Sequence, residues 1–296
     1  MSGEVVEIRP GFVATARLLP WPAMAVLAGC LVVLVATVIA PAGERPTLAG
    51  AAIVAGLAGL SATSVGVFGS VLVPGLLLLG LDPRSAAAIS LLAQVLVIPI
   101  GASSHAAVGH VKRAILLPIV LGGVTGSVIG ALLASTVPAA LAGRAVAVMI
   151  VVIGLIVLAN LRAGASPAGD GVIRPRRTAG IGLVAGLASG ISGAGWGPIG
   201  VKLLILGGTL PRIAIGSSLA GRVPMAIAAL VTYAVSASAH GIPAAPPTLV
   251  AVVLGASLVT MIPGTLLIAH LGRRSATVGV ALLSIALALP TVVAWR

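Results

Sequence analysis

The sequence predicts an all-α polytopic membrane protein that contains an inverted structural repeat. Of its 296 residues, 59% are hydrophobic and 7% are charged, and the mean hydropathy is +1.25; a soluble domain carries about 25% charged residues. Apolar runs recur along the whole chain, and each is long enough to cross the roughly 30 Å hydrocarbon core of a bilayer. Two of these runs are interrupted by Gly- and Ser-rich stretches with similar sequences, which indicates the repeat.

Composition also argues against several functional classes. The net charge of +12 comes mostly from loop arginines, as expected for a membrane protein with positive cytoplasmic loops. Aromatic residues make up only 2% of the chain, so stacking platforms for a nucleic acid are lacking. Cys30 is the single cysteine, which excludes an intrachain disulfide and a thiol metal site; we expect it to be a small packing residue. No metal-ligand cluster, catalytic pair or cofactor-binding motif is evident, so an enzyme is not predicted.

The N-terminal part, residues 1–46, is predicted to be a tail and an extra span that precede the repeats. Residues 1–19 mix acidic and basic side chains and are expected to be cytoplasmic, and residues 20–41 form the first span. The small residues at Ala40-Pro41-Ala42 leave a cleaved signal peptide as the alternative. However, the apolar run is longer than the core of about 7–15 residues that is usual in such a peptide.

Residues 47–80 are too long for one crossing, since a continuous helix would measure roughly 50 Å. The stretch is interrupted at Ser61–Gly66 (SATSVG), which leaves two arms of about 14–17 residues. We therefore predict a re-entrant hairpin that enters to mid-depth, breaks and returns. A broken helix at membrane depth is tolerated only where protein or a water-filled cavity covers it.

The rest of the chain completes two repeats, residues 47–161 and 178–296. Ordinary spans at about 85–104, 113–135 and 139–161 follow the first hairpin, and the basic segment 162–177 is a cytoplasmic linker. The repeat is visible in three places that keep an offset of about 130 residues. VAGLAGLSATSVG aligns with VAGLASGISGAG, DPRS with LPRI, and SLLAQ with SLAGR.

Basic residues predict the orientation of the two repeats. If each interrupted segment is a hairpin and the N-terminus is cytoplasmic, 11 loop lysines and arginines lie inside and 4 lie outside. If each interrupted segment crosses once, the split becomes 7 and 8. The positive-inside rule favours the hairpins. The prediction is therefore seven full spans plus two re-entrant hairpins that meet near the midplane, with the two repeats inverted.

The second interruption, Ser189–Pro198 (SGISGAGWGP), is the counterpart of the first. After each break a short helix is expected to restart, at about Val67 and Gly197, and the free N–H groups of a helix N-terminus favour an anion. Close packing of small residues is the alternative for these glycines, and Trp196 could line a pocket or simply pack. The candidate substrate-binding residues at the two tips are Ser61, Thr63, Ser64, Gly66, Ser192, Gly193, Gly195, Trp196 and Gly197.

Arg222 is the most informative single residue. It lies about ten residues, or roughly 15 Å, into the span that starts near Arg212, which is midplane depth. An arginine there costs several kcal/mol, and the spans contain no Asp or Glu. A substrate anion is the expected partner; hydrogen bonds to the carbonyls of a broken helix are the alternative. Gln94 is its mate in the first repeat. Lys202 could attract anions or extend its amine to the membrane surface.

Three segments resemble the sulfite exporter TauE/SafE family: VAGLASGISGAGWGPIGVKLLILGG, VAGLAGLSATSVGVFGSVLVPGLLLLG and LPRIAIGSSLAGR. The resemblance extends over roughly residues 47–294. It implies a bacterial inner-membrane protein that exports sulfite or organosulfonates such as sulfoacetate. The first tip has Ser-Ala-Thr-Ser where the second is Gly-rich, and Gln94 stands opposite Arg222, so one repeat would carry the charge while the other supplies hydroxyls.

The leading hypothesis is a secondary transporter that moves a small sulfur oxyanion by alternating access. No acidic or histidine relay lies at membrane depth, so coupling to protons through side chains is not expected. The rivals are an anion channel, an exporter of another small organic anion, a non-transporting membrane component and, most weakly, a metal-cation carrier. The expected partners are the small anionic substrate and the lipid bilayer; the oligomeric state, including a homodimer, stays open.

Overall fold

A computed structural model describes residues 21–65, 67–107, 109–162, 174–194, 196–271 and 273–294. Over these residues the chain forms eleven α-helices and one short 3-10 turn at Ala42–Glu44. The helices are α1 (Trp21–Ile39), α2 (Arg45–Val65), α3 (Gly69–Leu78), α4 (Pro83–Ala107), α5 (Arg113–Thr136), α6 (Ala139–Arg162), α7 (Pro175–Ser192), α8 (Trp196–Leu206), α9 (Pro211–His240), α10 (Pro247–Leu271) and α11 (Arg273–Ala294).

Several helices have the length and hydropathy of membrane spans. Four of them, α2, α5, α6 and α9, contain a stretch long and apolar enough to cross a bilayer, and shorter apolar stretches lie in five of the others. Large apolar side chains are exposed along the outer faces of the bundle, for example Leu27, Leu31 and Leu34 on α1. Exposed apolar surface of this extent fits a lipid environment. Cys30 was expected to pack inside, but it is exposed on α1, on the same outer surface.

Both interrupted segments form helical hairpins. In the first, α3 folds back along α2, since a side chain at Gly50 would meet Leu79 and one at Gly75 would meet Val54. In the second, α8 folds back along α7, since a side chain at Gly200 would meet Ala185. The second arm of each hairpin is the shorter one, with 10 residues in α3 and 11 in α8.

The first break begins later than predicted. The helix continues through Ser61 to Val65, so α2 has 21 residues rather than about 14–17, and α7 has 18. The hydroxyl of Ser61 lies 2.8 Å from the Ala58 carbonyl oxygen, one turn earlier, and 2.6 Å from the Val67 carbonyl oxygen, just beyond the helix. Its polar group is therefore satisfied without a break at Ser61, because a serine inside a helix can bond to a carbonyl of the preceding turn at only a small cost to the helix.

Each hairpin packs against a helix from the other half of the chain. α7 lies against α5, and α2 lies against α10. Matching hydrogen bonds join the two pairs: Ser127 donates to the Gly186 carbonyl, and Ser257 donates to the Ala55 carbonyl, each at 3.3 Å. The halves are therefore interlocked by contacts that recur at equivalent positions of the two repeats.

Glycines allow the closest of these contacts. A side chain at Gly126 on α5 would collide with the Leu183 carbonyl oxygen, and one at Gly186 on α7 would collide with the Gly123 carbonyl oxygen. The two backbones thus touch directly, as they do where small residues line membrane helix interfaces.

Buried apolar residues of the described part form three clusters. The first joins α1, α2, α3, α4, α6, α10 and α11 and includes Phe68, which precedes α3, and Leu72 of α3, a helix that is buried except for Leu78. The second joins α5, α7, α8 and α9 around Trp196, Ile119 and Met225. The third joins α4, α5 and α9 around Leu91 and Tyr233, so α4 contributes to two clusters.

Candidate functional site

The break between α7 and α8 is centred on Gly193. This residue adopts a left-handed conformation with φ +65°, and its N–H donates to the Ser189 carbonyl at 2.7 Å. A Cβ atom here would lie only 2.8 Å from the Ala87 carbonyl oxygen of α4. Glycine is required both for the backbone conformation and for the close approach.

Two side chains of α4 bind the carbonyl oxygen of Gly193. The hydroxyl of Ser90 donates to it at 2.9 Å and the amide nitrogen of Gln94 at 2.8 Å. The Gln94 amide nitrogen also lies 3.2 Å from the Ser90 hydroxyl oxygen and 3.2 Å from the Ser90 carbonyl oxygen. Both residues are buried. Gln94 was predicted as a substrate ligand. In the structure its amide nitrogen binds the Gly193 carbonyl and thereby stabilises the break between α7 and α8.

Other hydroxyls satisfy the remaining polar groups at this helix end. Tyr233 of α9 donates to the Gly190 carbonyl at 2.8 Å. The Ser192 hydroxyl donates to the Ala188 carbonyl at 2.7 Å and accepts from the Ala194 N–H at 3.0 Å. A helix end needs such partners inside a bundle, because water does not replace them there.

The start of α3 lies directly against this second break. A side chain at Gly69 would collide with the Gly193 carbonyl oxygen and would approach the Ala194 Cα to 2.7 Å. The Ser70 hydroxyl lies 3.4 Å from the Ala194 carbonyl oxygen. The helix that follows the first break thus touches the second break through backbone atoms, and the two interrupted segments come together inside the bundle.

Arg222 is buried near the middle of the 30-residue helix α9, with 5% of its surface exposed. Ser218 lies one turn before it on the same helix face, is 1% exposed, and its hydroxyl has no hydrogen-bond partner among the described residues. This face also carries Ala214 and Met225, which pack in the cluster that contains Trp196. Ser218 and Arg222 therefore lie on the side of α9 that faces the cluster formed with α5, α7 and α8.

Trp196 begins α8 and is 1% exposed. Its indole N–H also finds no acceptor within the described part of the chain. Leaving a buried donor without an acceptor costs about 1–3 kcal/mol, and membrane depth offers no bulk water to supply one. The indole and the Ser218 hydroxyl thus add two unsatisfied donors to a region that already contains a buried arginine.

The other predicted residues are distributed as follows. Ser61 is buried at the end of α2, Gly197 is buried in the first turn of α8, and Lys202 is half-buried on α8. Thr63 and Ser64 belong to the last turn of α2, but their side chains lie outside the described part. Gly66 and Gly195 are not among the described residues.

Sequence reasoning missed four polar residues, Ser70, Ser90, Ser218 and Tyr233. The sequence contained a signal for Ser90 and Ser218. Each lies four residues before a residue that was singled out, Gln94 in the first repeat and Arg222 in the second. Tyr233 is the sole tyrosine of the chain and lies in an apolar stretch. Ser70 had no distinguishing pattern.

The chemistry of this region is that of hydrogen-bond donors and one buried cation. Among the described residues, no group of three or more His, Cys, Asp or Glu side chains could hold a metal ion. Paired broken helices with polar groups between them are the arrangement in which secondary transporters bind substrate.

The described part of the chain is all helical and contains helices long and apolar enough to cross a membrane, which is the class of an all-α membrane protein. Comparison with protein families then gives its particular group. The model of the sulfite exporter TauE/SafE family matches residues 51–291, and the chain belongs to this family. No curated protein and no solved structure matches the chain.

Proposed function

We propose that this protein is a secondary transporter that exports small sulfur-containing oxyanions, sulfite or organosulfonates such as sulfoacetate, across the bacterial inner membrane. The family match supports transport of this class of anion. In this proposal the N-terminus is cytoplasmic, seven helices cross the membrane, and the two hairpins are re-entrant.

The observation that carries the proposal is the buried donor set on α8 and α9. Arg222 supplies a positive charge, and the Ser218 hydroxyl and the Trp196 indole are buried donors that lack an acceptor among the described residues. An oxyanion offers several acceptor oxygens and a negative charge, so one ligand would accept hydrogen bonds from the Ser218 hydroxyl and the Trp196 indole and be attracted by the positive charge of Arg222. The guanidinium is planar and suits the oxygen geometry of a sulfonate or sulfite.

Gln94 and Ser90 have a different role in this account. They hold the Gly193 carbonyl and so keep the end of α7 in place. They are positioning residues, and the substrate is bound by the α8–α9 face. The hydroxyls of the first tip, Ser61, Thr63 and Ser64, together with Ser192 and Lys202, remain candidates for transient contacts with the anion on its way to or from the site.

Alternating access would use two of the packed clusters of the bundle. The helices of the Trp196 cluster (α5, α7, α8 and α9) and those of the Phe68 cluster (α1, α2, α3, α4, α6, α10 and α11) meet where Gly69 touches Gly193. A rocking motion of one group of helices against the other at this contact would open the site first to one side of the membrane and then to the other.

The test is counterflow in proteoliposomes that contain the purified protein. Vesicles preloaded with sulfite, sulfoacetate, taurine, sulfate or acetate receive a trace of labelled sulfite or sulfoacetate outside. Transient accumulation of label that saturates with concentration, with sulfite or sulfoacetate preloads only, supports an exporter of these anions. Accumulation driven by acetate indicates another organic-anion exporter, large unsaturated currents indicate a channel, and no flux indicates a non-transporting component.

A further inference from the structure

A cavity of about 420 Å³ lies at the other end of the second hairpin, where α7 begins and α8 ends. It is far from the break, since its lining includes the N-terminal residues of α7 and the C-terminal residues of α8. The lining residues that matter here are Arg174, Arg176, Arg177, Thr209, Ile181 and Leu204.

The N-terminus of α7 supplies one set of donors to this cavity. Its N-cap residue is Arg174, which makes no side-chain capping bond, and Pro175 opens the helix. The N–H groups of Arg176 and Arg177 belong to the first helical turn and have no partner inside the helix. Together with the positive end of the helix dipole and three guanidinium groups, they favour an anion.

Thr209 is a second and independent observation. It follows α8, lines the cavity, and is 3% exposed. Its hydroxyl has no hydrogen-bond partner in the described part of the chain. A buried hydroxyl without a partner is costly. Neighbouring atoms cover the hydroxyl oxygen in the structure, and a rotation of the Thr209 side chain would let it donate to a ligand in the cavity.

Three carbonyls at the end of α8 are already hydrogen-bonded within the chain. The carbonyls at Leu203, Leu204 and Ile205 accept hydrogen bonds of 2.9–3.0 Å from the N–H groups of Gly207, Thr209 and Gly208. Gly208 has φ +96°, the left-handed conformation that closes such a helix end. No lining residue is acidic, so the described walls present donors and positive charge.

We propose that this cavity binds a phosphate group, carried either by an anionic phospholipid or by a soluble phosphate ester. Several arginines and a helix N-terminus suit the oxygens and negative charge of a phosphate. The volume exceeds that of one small anion, and the apolar side chains of Ile181 and Leu204 form a wall for the glycerol or other ester group. The open end of a membrane hairpin is also near lipid headgroups. This site is separate from the transport site.

The experiment measures binding to the purified full-length protein in a neutral detergent. Two probes distinguish the sources: dioctanoyl phosphatidylglycerol and sn-glycerol 3-phosphate. We expect the wild type to bind at least one of them; binding of the lipid alone identifies a headgroup, whereas binding of glycerol phosphate identifies a soluble ester. Arg176→Gln/Arg177→Gln should weaken binding about tenfold or more, and Thr209→Val roughly three- to tenfold.

Two controls separate this site from general charge and from transport. Lys112→Gln/Arg113→Gln removes a basic pair at the start of α5, the matched position of another helix, and should leave the affinity unchanged. Arg222→Gln should also bind the probe normally, whatever its effect on transport. The proposal is overturned if neither probe binds the wild type, if Thr209→Val and the double arginine variant both bind like the wild type, or if Arg222→Gln abolishes binding.

Discussion

The amide nitrogen of Gln94 lies 2.8 Å from the carbonyl oxygen of Gly193 and thereby joins α4 to the break between α7 and α8. Gln94 is the sequence counterpart of Arg222, which lies on α9 in the other repeat. One member of the pair supports a broken helix with a neutral amide, and the other brings a positive charge into the bundle.

Replacing Gln94 with Leu should destabilise the protein and slow transport. The Gly193 carbonyl loses one of its two side-chain donors and keeps Ser90, so we expect a cost of about 1–3 kcal/mol. The measurement is the thermal midpoint in detergent together with counterflow. Ser135→Ala is the matched control, because the Ser135 hydroxyl is buried but bonds only within α5, to the Ala131 carbonyl. Equal behaviour of the two variants would show that the Gln94 bond does not hold the break.

Replacing Gly69 with Ala should separate the two interrupted segments. The added methyl group meets backbone atoms of Gly193 and Ala194, which cannot rotate away as a flexible side chain would. We expect a loss of about 1–3 kcal/mol in stability and a marked fall in flux. Gly279→Ala on α11 is the control, since a methyl group there meets nothing within 4 Å. A stable, fully active Gly69→Ala variant would contradict the contact between the segments.

Replacing Gly126 with Ala tests the packing of α5 on α7. A methyl group would collide with the Leu183 carbonyl oxygen and lie 2.8 Å from the Leu187 nitrogen, so the two helices must move apart. We expect a lower thermal midpoint. The control is Gly180→Ala on α7, where the methyl group meets nothing and the higher helix propensity of alanine should stabilise by up to about 1 kcal/mol. Similar midpoints for the two variants would exclude direct backbone packing.

Replacing Ser218 with Ala should impair function without lowering stability. The hydroxyl is buried and has no partner among the described residues, so its removal breaks no bond to them and should stabilise the ligand-free protein by up to about 1–3 kcal/mol. If the hydroxyl binds the substrate, the affinity for sulfite or sulfoacetate should fall roughly three- to tenfold. Binding is measured by calorimetry on the detergent-purified protein. Unchanged affinity would remove Ser218 from the site.

The sequence was sufficient for the helical class and for the approximate positions of both breaks. Gly- and Ser-rich stretches in otherwise apolar runs indicate either a break in the helix or close packing against a neighbouring helix. The exact end of α2 was missed because the helix accommodates Ser61, whose hydroxyl bonds to the Ala58 and Val67 carbonyls. Whether a helix accommodates a serine or breaks at it depends on such local bonds, which composition does not reveal.

The site was harder to predict because its partners are distant in the chain. Gln94 and Gly193 are 99 residues apart, and nothing in either segment shows that an amide would meet that carbonyl. Arg222 was identifiable because a charge in an apolar span is conspicuous. The hydroxyl of Ser218 was not, because serine is common in membrane helices and only the fold shows that it is buried without a partner.

The most direct test of the account compares the wild type with Arg222→Gln in binding and counterflow of sulfite and sulfoacetate. Arg212→Gln is the matched control, because Arg212 is exposed in the first turn of the same helix. We predict saturable binding and counterflow in the wild type and in Arg212→Gln, and a loss of both in Arg222→Gln with an unchanged fold by circular dichroism. Normal binding and counterflow in Arg222→Gln would show that Arg222 is structural and that the anion is recognised elsewhere.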